Sequence, residues 1–68
     1  MTATLTLNGT PEPVASSVTA LLDRLGLDSQ MKGLAIALNG AVLPRSAWAD
    51  AALKAGDDVE IVRPFQGG

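Results

Sequence analysis

The 68-residue sequence contains no cysteine, no histidine and no tyrosine. Without thiols it forms no disulfide and holds no iron–sulfur centre, and without imidazole it lacks the side chain most often used as a general base. Aromatic residues are reduced to Trp48 and Phe65, 3% of the chain, so the core has to be aliphatic. Charge is sparse and slightly acidic, with five Lys and Arg against seven Asp and Glu for a formal net charge of −2. The five cations stand singly, and a chain without a basic stripe is not built to neutralise phosphates, which argues against nucleic acid as a partner. No apolar run approaches the roughly 20 residues of a membrane-spanning helix, and no signal peptide follows Met1. The expectation is a cytoplasmic protein with no membrane contact. At this length the chain folds as one small domain, too small for a deep substrate cavity.

Hydrophobic periodicity sets out the elements in order. Ala3, Leu5 and Leu7 alternate with Thr4 and Thr6, the pattern of a half-buried strand over 3–7. Asn8-Gly9 is a strong hairpin signal, so 10–14 is expected to return as a second strand. Pro11 and Pro13, two apart, remove N–H donors from one side of that strand and place it at a sheet edge. The register stays open: a two-residue loop turns Glu12 to the core face, and a three-residue loop turns the prolines there. Ser17 stands before Val18, Leu21, Leu22 and Leu25, one apolar stripe of a helix capped by the Ser17 hydroxyl and closed at Gly26, with Leu27 folding back. About nine helical residues do not hold by themselves, so the stripe must lie on a sheet.

After a polar loop over 28–33, Leu34, Ile36 and Leu38 alternate with Ala35 and Ala37. Asn39-Gly40 repeats the hairpin signal, and 41–43 returns, with Leu43 facing the core and Val42 facing outward beside Ala37. Pro44 ends the strand, and 48–53 reads as a short helical turn. Residues 54–58 are turn chemistry, with Asp57-Asp58 expected as a solvated loop. The last strand is expected over 59–63, Val59 and Ile61 inward, Glu60 and Val62 outward. This order predicts an α+β fold: a mixed sheet of four to five strands with one main helix packed on one face, the β-grasp or ubiquitin-like arrangement. The domain is expected to span 1–63, followed by an extended tail over 64–68.

The body offers little to catalysis. Any nucleophile would be a Ser, Thr or Lys with no imidazole to activate it, Lys32 and Lys54 lie in turn sequence, and no phosphate-cradling G-x-x-x-x-G-K-[ST] is present. The terminus is different. Gly67 and Gly68 lack Cβ atoms, so an extended backbone ending in them can thread a channel too narrow for side chains and deliver the Gly68 carboxylate to a partner's active site. The bland alternative is a frayed end. The five residues beyond Arg63 reach at most about 3.3–3.6 Å each, enough to carry Gly68 clear of the body, and Pro64 stiffens the exit. Phe65 stands outside any strand alternation, which leaves it open as a core residue or as an anchor in a partner's groove.

The run Leu34-Ala35-Ile36-Ala37-Leu38-Asn39-Gly40, then Val42-Leu43-Pro44-Arg45 with Trp48, then Gly56-Asp57-Asp58-Val59-Glu60-Ile61, and finally Pro64-Phe65-Gln66-Gly67-Gly68, resembles the ThiS family of thiamine-biosynthesis sulfur carriers along the whole chain. The resemblance implies that the chain is not an enzyme but a protein co-substrate. Its Gly68 carboxylate would be adenylated by an E1-like, ThiF-type adenylyltransferase using ATP and magnesium, converted to a thiocarboxylate with sulfur from a donor protein, and spent on a ThiG-type thiazole synthase. The chain itself would bind no cofactor and no metal. Gly67 matches the penultimate glycine, and Val42, Val62, Arg63, Phe65 and Gln66 are the implied partner contacts. Pro44, Arg45 and Trp48 match a signature whose role reads as structural, Trp48 plugging an edge of the core. The alternatives are the small subunit of molybdopterin synthase, another ubiquitin-like sulfur carrier, and an interaction module whose terminus is chemically inert.

Overall fold

The computed structural model describes residues 3–64. They form β1 (Thr4–Leu7), β2 (Thr10–Pro13), α1 (Val18–Arg24), β3 (Ala35–Leu38), β4 (Ala41–Leu43), a single 3₁₀ turn (Arg45–Ala47) and β5 (Asp58–Val62). The sheet runs in the order β2-β1-β5-β3-β4. β1 and β5 are parallel, and every other pair is antiparallel. The last strand therefore lies at the centre of the sheet. A five-stranded mixed sheet with one helix is the expected β-grasp architecture.

The first hairpin settles the open register. Asn8 and Gly9 both take positive φ, 48° and 83°, and Leu7 pairs with Thr10 across a two-residue loop. Glu12 thus lies opposite Leu5 on the core face. It is tolerated there because β2 is an edge strand and Arg24 of α1 reaches its carboxylate at 3.5 Å. The same guanidinium donates to the carbonyls of Pro13 and Val14. Val14 N–H bonds inward to the Ala3 carbonyl, so the alternate nitrogens of Pro11 and Pro13 fall on the open edge, where no donor is needed.

The helix is seven residues, shorter than the nine expected, because Leu25 serves as its C-cap. Ser17 Oγ accepts the Ala20 N–H at 3.1 Å. At the other end, Leu27 N–H bonds the Leu22 carbonyl and Gly26 N–H the Asp23 carbonyl, a stop that requires the positive φ of 76° at Gly26. Val18, Leu21 and Leu22 join Leu5, Leu34, Ile36, Trp48, Leu53, Val59 and Ile61 in one buried cluster. Leu25 and Leu27 pack at its border.

Two expected boundaries move. The last strand is Asp58–Val62 rather than 59–63. Asn39 draws Asp58 into the ladder from both sides, donating its N–H to the Asp58 carbonyl and accepting the Asp58 N–H on Oδ1 at 2.8 Å. At the far end β3 offers its last partner to Val62, through Ala35, and Arg63 has none there. The helical turn expected over 48–53 begins earlier, as the 3₁₀ turn Arg45–Ala47, and runs on only to Ala51, whose N–H bonds the Ala47 carbonyl. Pro44 presets its start, and the Trp48 side chain enters the core, where it is only 2% exposed. Its indole Nε1 donates to the Leu43 carbonyl at 2.9 Å, and the Arg45 guanidinium stacks 4.5 Å above its ring. Beyond it, Ala52 forms a bridge with Ser17 and so ties this segment to the start of α1.

Candidate functional site

Because β5 is central, the chain leaves the body between two neighbours. On one side β1 ends at Leu7, paired with Val59, before β5 does. The Asn8 side chain continues the ladder in its place: Oδ1 accepts the Ile61 N–H at 2.8 Å, and Nδ2 donates to the Ile61 carbonyl at 3.2 Å. On the other side, the loop before β3 brings Gly33 against Pro64. Sequence spacing marks Asn8 and Asn39 as turn formers. It carries no trace of their second role, in which the Asn8 amide imitates a peptide group for Ile61 and the Asn39 Oδ1 accepts the N–H of Asp58, both in β5.

The sheet face opposite the helix is uncovered among the described residues. Ala37 pairs with Val42, and Ala35 with Val62, so two alanines sit between two valines across β4, β3 and β5. Val42 is 81% exposed and Val62 61%, the two large apolar side chains that the body presents to solvent. Asp58 and Glu60 follow Val62 along the same face of β5. Arg63 is exposed just past the strand. The structure thus brings Val42 and Val62 to one face of the sheet, with Arg63 next in the chain after Val62. Phe65, Gln66, Gly67 and Gly68 lie outside the described residues.

Among the described residues no three His, Cys, Asp or Glu side chains gather closely enough to share a metal ion. Asp57 corrects the expectation of a solvated loop. It is 4% exposed, and its carboxylate accepts from Asn39 Nδ2 at 3.1 Å and from the Lys54 N–H at 3.0 Å, with Lys54 Nζ 3.4 Å away. The buried group here is the Asp57 carboxylate itself, and the Asn39 amide and the Lys54 N–H satisfy it. The Asn39 hydrogen bond chiefly, then the Lys54 N–H and charge, hold its carboxyl below the ordinary 3.8, against the opposing effect of burial. The fold therefore favours the ionised form, and the stabilisation is complete above the unfolded value and fades as pH falls through the folded one. Asp57→Asn should lower the urea midpoint at pH 7, and the gap from the wild type should narrow below about pH 4. Parallel acid profiles for the two proteins would contradict this assignment.

Known proteins fit this geometry. The family model described as the ThiS family matches residues 5–68. The chain belongs to the ThiS family. The crystal structure of the thiamine biosynthesis protein ThiS from Geobacter metallireducens is 39% identical, with a TM-score of 0.75 over 96% of this chain and 99% of that one. A solution structure of a thiamine biosynthesis protein from the same organism is 38% identical, with a TM-score of 0.76 over 96% of this chain and 87% of that one. No protein in the curated set matches. Family and neighbours together give the chain its role as a sulfur carrier of thiamine biosynthesis. Its small body has no helix, among the described residues, long and apolar enough to cross a membrane.

Proposed function

We propose that the chain is a protein co-substrate in the cytoplasm, whose working atom is the terminal carbon of Gly68. A carboxylate resists attack by sulfur because its oxygen is a poor leaving group. A Gly68 carboxylate oxygen attacks the α-phosphorus of ATP in an E1-like adenylyltransferase, magnesium being the partner's, and pyrophosphate departs. Sulfide (HS−) supplied by the donor protein then attacks the Gly68 carbonyl carbon, the C–O bond to AMP breaks, AMP leaves and the sulfur loses its proton to solvent; the resulting thiocarboxylate gives its sulfur to thiazole synthase. The chain's own contribution is presentation: the 64–68 tail carries the acyl carbon, with Gly67 and Gly68 keeping it slender.

The observation that carries this reading is the Gly67-Gly68 ending, which follows the central strand β5 in the sequence, in a chain that has no Cys and no His. The apolar sheet face supports docking by Val42 and Val62. Arg63, Phe65 and Gln66 extend the contact along the tail. Incubation with an E1-like adenylyltransferase, ATP and magnesium should release pyrophosphate in proportion to added carrier chain. Release that is the same with and without the chain would overturn the proposal.

A further inference from the structure

Gly33 closes the loop between α1 and β3, and in the sequence it reads as no more than a loop end. In the fold it faces Pro64. A Cβ on Gly33 would stand 2.9 Å from Pro64 Cβ, well inside the roughly 3.5–4.0 Å at which carbon atoms rest against each other, and 3.6 Å from Pro64 Cα, in ordinary contact. Its φ of +81° is a second reason for glycine. The loop that carries it is held from behind. The Arg45 guanidinium donates to the carbonyl of Ser29 and, at 2.7 Å, to that of Met31, while it stacks on the buried Trp48 ring. On the far side of β5 the Asn8 amide fixes Ile61, three residues before Pro64. The exit of the last strand is therefore gripped on both sides.

We infer that Gly33 is a positioning residue: its bare Cα seats Pro64 and so sets the direction in which the chain leaves the body for a partner's active site. Arg45 and Trp48 serve the same end by holding the loop. This inference rests on the carrier reading above, and it names the part of the body on which delivery depends.

Gly26 provides the control, since its φ of +76° is nearly the same and no atom lies within 4 Å of the Cβ it lacks. Gly33→Ala and Gly26→Ala both force an L side chain into the left-handed region, so both should lower the melting temperature. Only Gly33→Ala also pushes on Pro64. It should reduce kcat for carrier adenylation by about tenfold or more, with KM little changed because the sheet face still docks, whereas Gly26→Ala should keep the wild-type kcat. Pro64→Gly removes the atom that the added methyl group would strike, so in that background Gly33→Ala should cause no further loss of kcat. Equal kcat values for the two alanine variants would overturn the inference and leave the carrier reading intact. Independently of any enzyme, the full-length wild-type chain should show a nuclear Overhauser contact between the Gly33 α-protons and the Pro64 β-protons, and its absence would overturn the seat. If the wild type itself is not adenylated, the carrier reading fails and takes the delivery role with it, reducing an observed contact to packing.

Discussion

Amidation of Gly68, or its deletion, is expected to abolish sulfur delivery to thiazole formation while leaving the folded body unchanged. The reasoning is chemical. In the proposed reaction activation begins with attack by a carboxylate oxygen on ATP, and an amide has no such anion. In a chain ending at Gly67 the reacting carbon falls short by one residue, about 3.3–3.6 Å, when displacements near 1 Å already cost on the order of 100-fold. The body offers no thiol or imidazole in its place, since the sequence has no Cys or His, and the buried carboxylate Asp57 is committed to Asn39 and Lys54. Docking should persist in the blocked protein, because Val42 and Val62 belong to the sheet. The blocked chain should therefore compete with the intact one for the activating enzyme. An amidated chain that still supported thiazole formation at the normal rate would show that the sulfur travels elsewhere.

Trp48→Ala is expected to unfold most of the protein at room temperature. Replacing a fully buried Trp by Ala costs about 3–5 kcal/mol. A body of this size rarely has more than about 3–5 kcal/mol in total. Trp48 has the largest side chain of the buried cluster, its Nε1 holds the Leu43 carbonyl, and its ring is the platform for Arg45. The loss would therefore spread from the core to the α1–β3 loop. Trp48→Phe keeps much of the apolar volume but loses the hydrogen bond, and should fall between the two. Circular dichroism against urea checks the series, and a Trp48→Ala protein with a near-normal midpoint would contradict it.

How much of the fold is legible in the sequence depends on the range of each interaction. Local signals suffice for the existence of the hairpins and the helix, though not for the register of the first hairpin, which the structure settles. The paired prolines mark β2 as an edge, Ser17 and Gly26 mark the ends of α1, and the two Asn-Gly turns set the hairpins, since each is decided by a residue's own backbone preference. The alternation in 35–43 also turns Val42 outward, where the fold leaves it exposed. What escapes is long-range. Asn8 bonds Ile61 across 53 positions, and Asn39 bonds Asp57 across 18. Nothing in the spacing of an Asn-Gly turn says that its side chain will complete another strand's ladder. The same holds for Gly33, whose meaning depends on Pro64, 31 residues later, arriving beside it. The displaced helical turn has a similar cause: local alanine content favours 48–53, and burial of Trp48 together with the Ser17–Ala52 bridge overrides it. The proposed terminal site rests on chemistry rather than on geometry: a chain without Cys or His is poor in reactive side chains, and Gly67 and Gly68 lie outside the described residues.

The most direct test is the intact mass of the wild-type chain after incubation with ATP, magnesium, an E1-like adenylyltransferase and a sulfur source. The expected result is a gain equal to the exchange of one oxygen for one sulfur, confined on digestion to the peptide that ends in Gly68. An unchanged mass in the presence of an enzyme that consumes ATP on a known ThiS protein, or a sulfur adduct located on any other peptide, would contradict the claim that the backbone terminus is the reactive group.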